Sequence, residues 1–216
     1  MPYEVAQIAL MTDNLGLCDS PSNSVAPSLT LLIERAKAGE PAAFEQLVDH
    51  HQRKVLSTAW RMLGNREDAR DAAQEVFLRV HKYLKSFRTD QEFAAWLYRI
   101  VVNVCRDHAR KHGYRHQFAS FESERDAGAF EELVSNEDVE TNAIRSQERA
   151  LVAQALATLS NKERAALVLR DLEGLSTKEV AQALGSTQTT VRTQISSARA
   201  KIKLYRDRAL NRARRG

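Results

Sequence analysis

The sequence predicts an all-α protein with two helical domains joined by an acidic flexible linker, the C-terminal domain being a helix-turn-helix. Hydrophobic residues make up 43% of the chain and charged residues 28%, as in soluble proteins that build compact cores. Only four prolines and eight glycines interrupt 216 residues rich in helix formers. Apolar side chains recur at helical spacing in two separate blocks, which indicates two domains.

The first block follows a segment, residues 1–28, whose stretch CDSPSNSVAPS favours a flexible tail. Residues 29–112 then predict one domain of four helices. Glycine, proline and asparagine mark the breaks between these helices. The predicted helices are Leu29–Ala38, Ala42–Leu63, Arg66–Leu84 and Gln91–His112.

The fourth helix carries two stripes at helical spacing. The apolar stripe predicts a core face and consists of Phe93, Trp96, Leu97, Ile100, Val101 and Val104. The polar stripe consists of Arg99, Asn103, Arg106 and Arg110. Arginine can bind phosphates and asparagine can bind a base edge, so this stripe can contact nucleic acid. A solvated helix face explains it equally well.

Charge divides the chain in the same way. Residues 34–118 hold 16 basic and 11 acidic residues, and residues 151–216 hold 13 basic and five acidic ones. Between them, residues 119–150 hold nine acidic and three basic residues. We interpret residues 113–147 as an acidic flexible linker. Two basic blocks around an acidic connector suit a protein that touches a polyanion at two places.

Residues 148–210 predict the second domain, and residues 211–216 a basic tail. Its helices are predicted at Glu148–Leu159, Asn161–Leu172, Thr177–Leu184 and from Gln188 to about Arg206. Ser160 with Glu163 and Ser176 with Glu179 match capping boxes, and Gly185 suits the turn between the last two helices. The last helix can meet base edges with outward Gln188, Thr189, Arg192, Thr193, Ser196 and Arg199, and phosphates with Lys203. The alternative is an ordinary antiparallel helix pair.

Several other classes of protein and site lack support. Two cysteines without a CxxC pair favour a reducing cytoplasm, and no signal peptide or bilayer-spanning stretch is evident. No nucleophile with a base and no glycine-rich phosphate loop indicates an enzyme, and His50-His51 is interpreted as a solvated pair. On a continuous helix, four side chains of metal-binding types would share one face: Cys105, His108, His112 and His116. We expect Gly113 to end the helix before the last of them, so we predict neither a metal nor a cofactor.

Three separated segments of the chain carry a recognisable pattern: DARDAAQEVFLRVHKYLKSF, FAAWLYRIVVNVCRDHARKH and LSNKERAALVLRDLEGLSTKEVAQALGSTQTTVRTQISSARAKI. In their order and spacing they resemble one protein family, the extracytoplasmic-function (ECF) sigma factors. The resemblance implies a bacterial transcription initiation factor with two DNA-binding domains. Residues 29–112 would be region 2, for polymerase binding and the −10 element, and residues 148–210 region 4, for the −35 element.

The resemblance also implies roles for individual residues. Asp71, Gln74, Glu75 and Arg79 would bind the clamp helices of the largest subunit of core RNA polymerase. The loop residues Phe87, Arg88, Thr89 and Asp90 would capture a flipped base of the −10 element, and the polar stripe would hold the opened strand. The last helix would read the −35 element as duplex. Further implied partners are the flap region of the second-largest subunit and an anti-sigma factor.

The sequence departs from the family pattern in its last helix. Thr189, Gln194 and Ser197 replace the usual glycine and two arginines, so they are the first places to look for a promoter preference of its own. Two rival functions remain: a sigma-like protein that sequesters an anti-sigma factor, and a dimeric helix-turn-helix repressor. A polymerase-binding helix distinguishes a sigma factor from the repressor.

Overall fold

A computed structural model describes residues 28–111 and 151–213, and these residues contain helices and no strands. In the N-terminal domain, the helices are α1 (Leu29–Lys37), α2 (Pro41–Leu63), α3 (Arg66–Tyr83) and α4 (Phe93–Lys111), with a 3₁₀ turn Leu84–Ser86 after α3. In the C-terminal domain, they are α5 (residues 151–157), α6 (Asn161–Leu167), α7 (Thr177–Leu184) and α8 (Gln188–Ala213). The all-α prediction is confirmed.

Local signals account for the helix ends. The side chain of Asn65 accepts the backbone N–H groups of Glu67 and Asp68 at the start of α3. Gly64 ends α2 in the left-handed conformation, with φ of 72°, which side chains with a Cβ rarely adopt. Because these signals end one helix and start the next within two residues, α2 and α3 form a tight antiparallel pair.

Both predicted capping boxes are present in the C-terminal domain. Ser160 and Glu163 cap α6, and Ser176 and Glu179 cap α7 in the same reciprocal way. Gly185 turns the chain after α7 with φ of 60°. The predicted order of a short helix, a glycine turn and a longer second helix is therefore observed.

Two features of this domain differ from the prediction. The predicted helix Asn161–Leu172 is α-helical only to Leu167 and continues as a π-helical turn, Val168–Leu172. Within that turn the N–H of Glu173 donates to the carbonyl of Val168, five residues earlier. The last helix extends to Ala213 rather than to Arg206. A π turn inserts one residue into the helical register, which hydrophobic spacing alone does not reveal.

The predicted apolar stripes form the cores. In α4, Phe93, Leu97, Val101 and Val104 are buried, while Trp96 and Ile100 are half-buried. In α8 the buried stripe is Val191, Ile195, Ala198 and Ile202. Helix α4 also packs against α7 of the other domain, so the two cores form one continuous apolar cluster. This contact sets the relative position of the two polar helix faces.

The remaining predictions about chain organisation concern residues that are not described. The N-terminal tail up to residue 27, the linker and the last three residues of the basic tail lie outside the described ranges. No helix within residues 28–111 and 151–213 is long and apolar enough to cross a membrane.

Candidate polymerase and nucleic-acid interfaces

The outer face of α3 combines polar groups with one exposed leucine. Asp71 and Gln74 are exposed and Glu75 is half-buried, at the spacing that places them on one side of the helix. Leu78 extends the same row and is 67% exposed. Leu78 adds exposed apolar area to this polar row, which a protein partner could bury. Sequence analysis missed Leu78, although its i+4 spacing from Gln74 was visible.

Arg79 is the most restrained of the four predicted polymerase-binding residues. Its guanidinium donates to Glu75 at 2.8 Å and to Asp107 of α4 at 3.3 Å. The hydrogen bond that Arg79 donates to Glu75 raises the pKa of Arg79, and the Asp107 carboxylate adds to this shift. Arg79 therefore ties α3 to α4 and fixes the Glu75 carboxylate beside the exposed face.

The loop between α3 and α4 contains three exposed side chains above an aromatic cluster. Arg88, Thr89 and Asp90 are exposed, and Arg88 pairs with Asp90 at 2.7 Å. Phe87 is only 4% exposed, with its ring centroid 5.4 Å from that of Phe93. The expectation that Phe87 is available to a base does not fit this burial, because the ring fills the core below the loop.

His51 belongs to the same aromatic cluster. Its ring lies 5.4 Å from that of Phe93, and the residue is half-buried rather than solvated, so the prediction of a solvated His50-His51 pair is wrong for His51. Burial lowers the pKa of His51 to about 4, with the charges of His50 and Lys54 acting in the same direction. The imidazole is therefore neutral at pH 7 and packs as an aromatic ring.

All four members of the α4 polar stripe face solvent: Arg99, Asn103, Arg106 and Arg110. Arg110 pairs with Asp107 on the same helix. Arg99, Asn103 and Arg106 have no hydrogen bond or ion pair to another described residue. Their amide and guanidinium groups can therefore bind a ligand without first breaking such a contact.

The outward face of α8 is exposed as predicted. Thr187 caps the helix by accepting the N–H of Thr190 at 3.1 Å. The exposed predicted residues are Gln188, Thr189, Arg192, Thr193, Ser196, Arg199 and Lys203. Arg199 is held by a bidentate contact, with its guanidinium donating to Asp171 at 2.7 and 3.0 Å. That hydrogen bond raises the pKa of Arg199.

A second carboxylate, Glu163 of α6, anchors the middle of α8. It accepts Ser197 Oγ at 2.6 Å and Lys201 Nζ at 2.8 Å while still capping its own helix. Burial raises the pKa of this carboxyl, but hydrogen bonds from Lys201, Ser197 and Ser160 outweigh that effect and lower it to about 2. Asp171 and Glu163 together fix the rotation of α8 against the rest of its domain.

The three departures from the family pattern therefore have different surroundings. Thr189 is exposed on the outward face. Ser197 is engaged with Glu163 inside the domain, and Gln194 lines a cavity between the domains. The expectation that all three are available to tune base readout does not fit these positions, since only Thr189 lies among the outward residues.

The metal-ligand face is not assembled by the described residues. Cys105 is 1% exposed, and burial raises the pKa of its thiol to about 12. His108 is half-buried, while His112 and His116 lie outside the described residues. Within the described ranges, no three potential metal-binding side chains come together.

Two family profiles match the sequence that carries these surfaces. The profile described as Sigma-70 region 2 matches residues 47–115, and that described as Sigma-70 region 4 matches residues 149–202. The RNA polymerase sigma-H factor of Pseudomonas aeruginosa is 35% identical over 174 residues, covering 79% of this chain and 90% of the relative. The chain belongs to the ECF sigma factors of the sigma-70 family. It directs core RNA polymerase to promoters and assists opening of the −10 region.

Further similarities agree with this ECF sigma factor family. The ECF RNA polymerase sigma-E factor of Escherichia coli K12 is 35% identical over 181 residues, covering 80% of this chain and 91% of the relative. CnrH, whose structure was solved in complex with the cytosolic domain of CnrY, is 30% identical in sequence to this chain. The two structures have a TM-score of 0.62, and the match covers 82% of this chain and 96% of the CnrH chain. The sigma factor RpoE of Bartonella quintana shares the fold at 20% identity and a TM-score of 0.55, covering 76% and 96%.

Proposed function

We propose that this sigma factor divides promoter recognition between two helix faces and binds polymerase through a third. The α4 stripe holds the opened −10 strand, the outward face of α8 reads the −35 duplex, and the outer face of α3 binds the clamp helices. The observation that carries this assignment is the exposure of all three polar faces while the apolar stripes beside them are buried.

The α3 face suits a helical partner. Asp71, Gln74 and Leu78 lie along one line on the helix, which gives a row of about two turns. Leu78 supplies apolar area that a partner can bury, and polar contacts of the Asp71 carboxylate and the Gln74 amide can fix how that partner is oriented. Burying one exposed leucine against a helical partner would contribute about 1–2 kcal/mol.

The α4 stripe and its preceding loop suit a single strand. Asn103 can bind a base edge, and Arg99, Arg106 and Arg110 can bind phosphates. Arg88, Thr89 and Asp90 lie at the start of the same helix, where a flipped base would arrive. Melting follows because these groups bind the opened strand better than the duplex, which shifts the equilibrium toward the open state.

The α8 face suits the major groove. Its first two turns present Gln188, Thr189, Arg192 and Thr193, in the region from which recognition helices contact bases. Arg199 and Lys203 lie two to three turns further along and can bind phosphates. We expect the same domain to contact the flap region of the second-largest polymerase subunit, in the cytoplasm.

An anti-sigma factor completes the expected partners. CnrH, 30% identical to this chain, was solved in complex with the cytosolic domain of CnrY. A protein partner of that kind could occupy this sigma factor in place of polymerase. An anti-sigma factor would be identified as a protein that copurifies with this chain and that lowers promoter-specific transcription in proportion to the amount added.

The experiment that tests the proposal is reconstitution with core RNA polymerase, followed by sequencing of transcript starts. The expected result is a set of starts that share −10 and −35 elements. Starts identical to those of core polymerase alone would contradict it.

Leu78→Ala tests the α3 face specifically. We expect about tenfold weaker binding to core polymerase, because the apolar centre of the contact is lost. Leu31→Ala is the matched control, since Leu31 is 52% exposed on α1 and outside the proposed face. Equal binding by the two variants, measured by fluorescence anisotropy, would remove Leu78 from the interface.

A further inference from the structure

The cavity between the two domains has an apolar floor. Its volume is about 210 Å³. Helix α4 contributes Val102, Cys105 and Ala109 to its lining, and the C-terminal domain contributes Ala165 and Leu184. Because the first two and Ala165 are buried and none of the five carries a charge, the floor can pack against an apolar ligand.

Polar contacts across the interface hold the walls of this cavity in place. The Glu173 carboxylate, 5% exposed, accepts hydrogen bonds from Thr58 at 2.6 Å and from Tyr98 at 2.7 Å. The guanidinium of Arg164, which also lines the cavity, donates to the carbonyl of Met62 at 3.0 Å. A ligand would therefore meet walls that are already formed, so little of its binding energy would be needed to order the protein.

The volume of the cavity limits the ligand to about one ring. An apolar cavity of about 150 Å³ in another protein holds benzene, whereas drug-sized ligands occupy pockets of about 300–1,000 Å³. A volume of about 210 Å³ lies between these values. It suits one six-membered ring that carries one or two small substituents.

The rim of the cavity is positively charged. Arg106 of α4 and Lys162 of α6 both line the cavity and are both exposed to solvent. Neither side chain forms a hydrogen bond or an ion pair with another described residue. Among the described residues that line the cavity there is no aspartate or glutamate. The rim therefore favours a ligand with an anionic group, such as a carboxylate.

A buried polar group indicates a second feature of the ligand. The Oε1 atom of Gln194, which lines the cavity, is buried and accepts no hydrogen bond from a described residue. Buried polar atoms in proteins are nearly always hydrogen-bonded, and leaving one unpaired costs free energy. A ligand hydroxyl can supply the missing bond. Since a hydroxyl both donates and accepts, it can pair with either end of the carboxamide.

We propose that this cavity is a binding site for a small aromatic carboxylate that carries a hydroxyl group. The ring packs on the apolar floor, the carboxylate pairs with Arg106 and Lys162 at the rim, and the hydroxyl bonds to Gln194. Ligand binding of this kind is independent of promoter recognition. One consequence does rest on the proposed function: Arg106 belongs to the α4 polar stripe, so a bound ligand would engage one cation of that stripe.

Met62 provides a reporter for the site. It lines the cavity, whereas the other two methionines of the chain, Met1 and Met11, lie outside the described residues. In the full-length chain, labelled with ¹³C at the methionine methyl groups, NMR titration with 4-hydroxybenzoate should shift the Met62 signal and leave the other two in place. We expect a Kd of about 0.1 mM, as is reasonable for a ligand of about ten non-hydrogen atoms.

Two simpler probes test the two polar contacts on the unmodified chain. Phenol lacks the carboxylate and should bind at least tenfold more weakly than 4-hydroxybenzoate. Benzoate lacks the hydroxyl and should bind about threefold more weakly. Each loss is measured from the same Met62 signal.

Two substitutions test the same contacts from the protein side. Lys162→Gln should weaken 4-hydroxybenzoate binding about fivefold and leave phenol binding unchanged, because only the carboxylate meets the rim. Gln194→Leu should lower the affinity for 4-hydroxybenzoate to that for benzoate, with benzoate binding unchanged. Lys178→Gln is the matched control, since Lys178 is an exposed lysine of α7 that does not line the cavity.

A Met62 signal that stays in place, or that shifts together with those of Met1 and Met11, would overturn the site. Equal affinities for phenol and 4-hydroxybenzoate would overturn the anionic class of ligand. Circular dichroism checks that each variant is folded; if Gln194→Leu loses helix, the comparison of benzoate with 4-hydroxybenzoate on the wild-type chain decides the role of the hydroxyl. Promoter-specific transcription is measured separately, so either proposal can fail without the other.

Discussion

The two helix faces that we propose to bind DNA differ in how their side chains are held. On α4, Arg99, Asn103 and Arg106 lie on the exposed face of the helix, beside the buried stripe, and make no hydrogen bond or ion pair to another described residue. On α8, Arg199 is fixed by Asp171, and Glu163 holds Ser197 and Lys201 on the adjacent side. The first face therefore presents donors that no described residue holds in place. On the second face, carboxylates of the same domain hold the rotation of the helix and one of its arginines.

The difference corresponds to the two forms of DNA. A duplex is a stiff ligand with a fixed groove, so a protein binds it more tightly when the contacting side chains are already oriented. A single strand has many conformations, and donors that can follow it make contacts with more of them. We therefore expect substitutions around α8 to act through orientation, and those on α4 to act through direct contact alone.

The largest effect should come from removing the carboxylate that anchors α8. Glu163→Gln loses the ion pair with Lys201 and should lower the free energy of unfolding by about 2 kcal/mol at pH 7. The folded-state pKa of Glu163 is about 2, below its ordinary value of 4.5, so its contribution is full above pH 4.5 and declines as pH falls toward 2.

Urea denaturation between pH 3 and pH 7 measures this contribution. The wild-type protein should lose stability relative to Glu163→Gln as the pH falls, and the difference between the two curves should be clearly smaller at pH 3 than at pH 7. Glu67→Gln serves as the control for an exposed carboxylate. Parallel wild-type and Glu163→Gln curves over the whole range would show that Glu163 does not anchor α8.

A smaller effect is expected on the strand side. Asn103→Ala should slow promoter opening about tenfold, equivalent to about 1.4 kcal/mol, because one contact to the opened strand is lost. Permanganate reactivity of the −10 thymines measures opening. Affinity for a −35 duplex should not change, and a parallel loss of both activities would show that α4 acts through the fold rather than through the strand.

The smallest expected effect distinguishes whether Asp171 acts by orienting Arg199 or only through its negative charge. Asp171→Asn removes a negative charge beside the DNA-binding face, which by electrostatics alone should strengthen binding. We expect about threefold weaker binding to a −35 duplex instead, because Arg199 is no longer held in place. Anisotropy at two salt concentrations measures it, with Asp49→Asn on α2 as the control. Tighter binding by Asp171→Asn would refute the orientation argument.

Sequence predicted the features that depend on local spacing. Helical periodicity located the apolar stripes of α4 and α8, and the Ser-x-x-Glu pattern located both capping boxes, because each is determined within a few residues. The position of Gln194 depends on a contact between α4 and the C-terminal domain, far apart in sequence. Phe87 was misjudged because a loop aromatic can point outward or inward, and only the cluster with Phe93 decides which.

The π turn at Val168–Leu172 links two contacts that point in different directions. Asp171 lies within it and binds Arg199 of the reading helix, while Glu173 follows it and reaches the other domain. Each residue of a helix advances by about 100°, so deleting one residue here would turn both carboxylates away from their partners together. A single-codon deletion in this turn would therefore alter DNA reading and domain closure at once, and the length of this segment is fixed by two constraints rather than one.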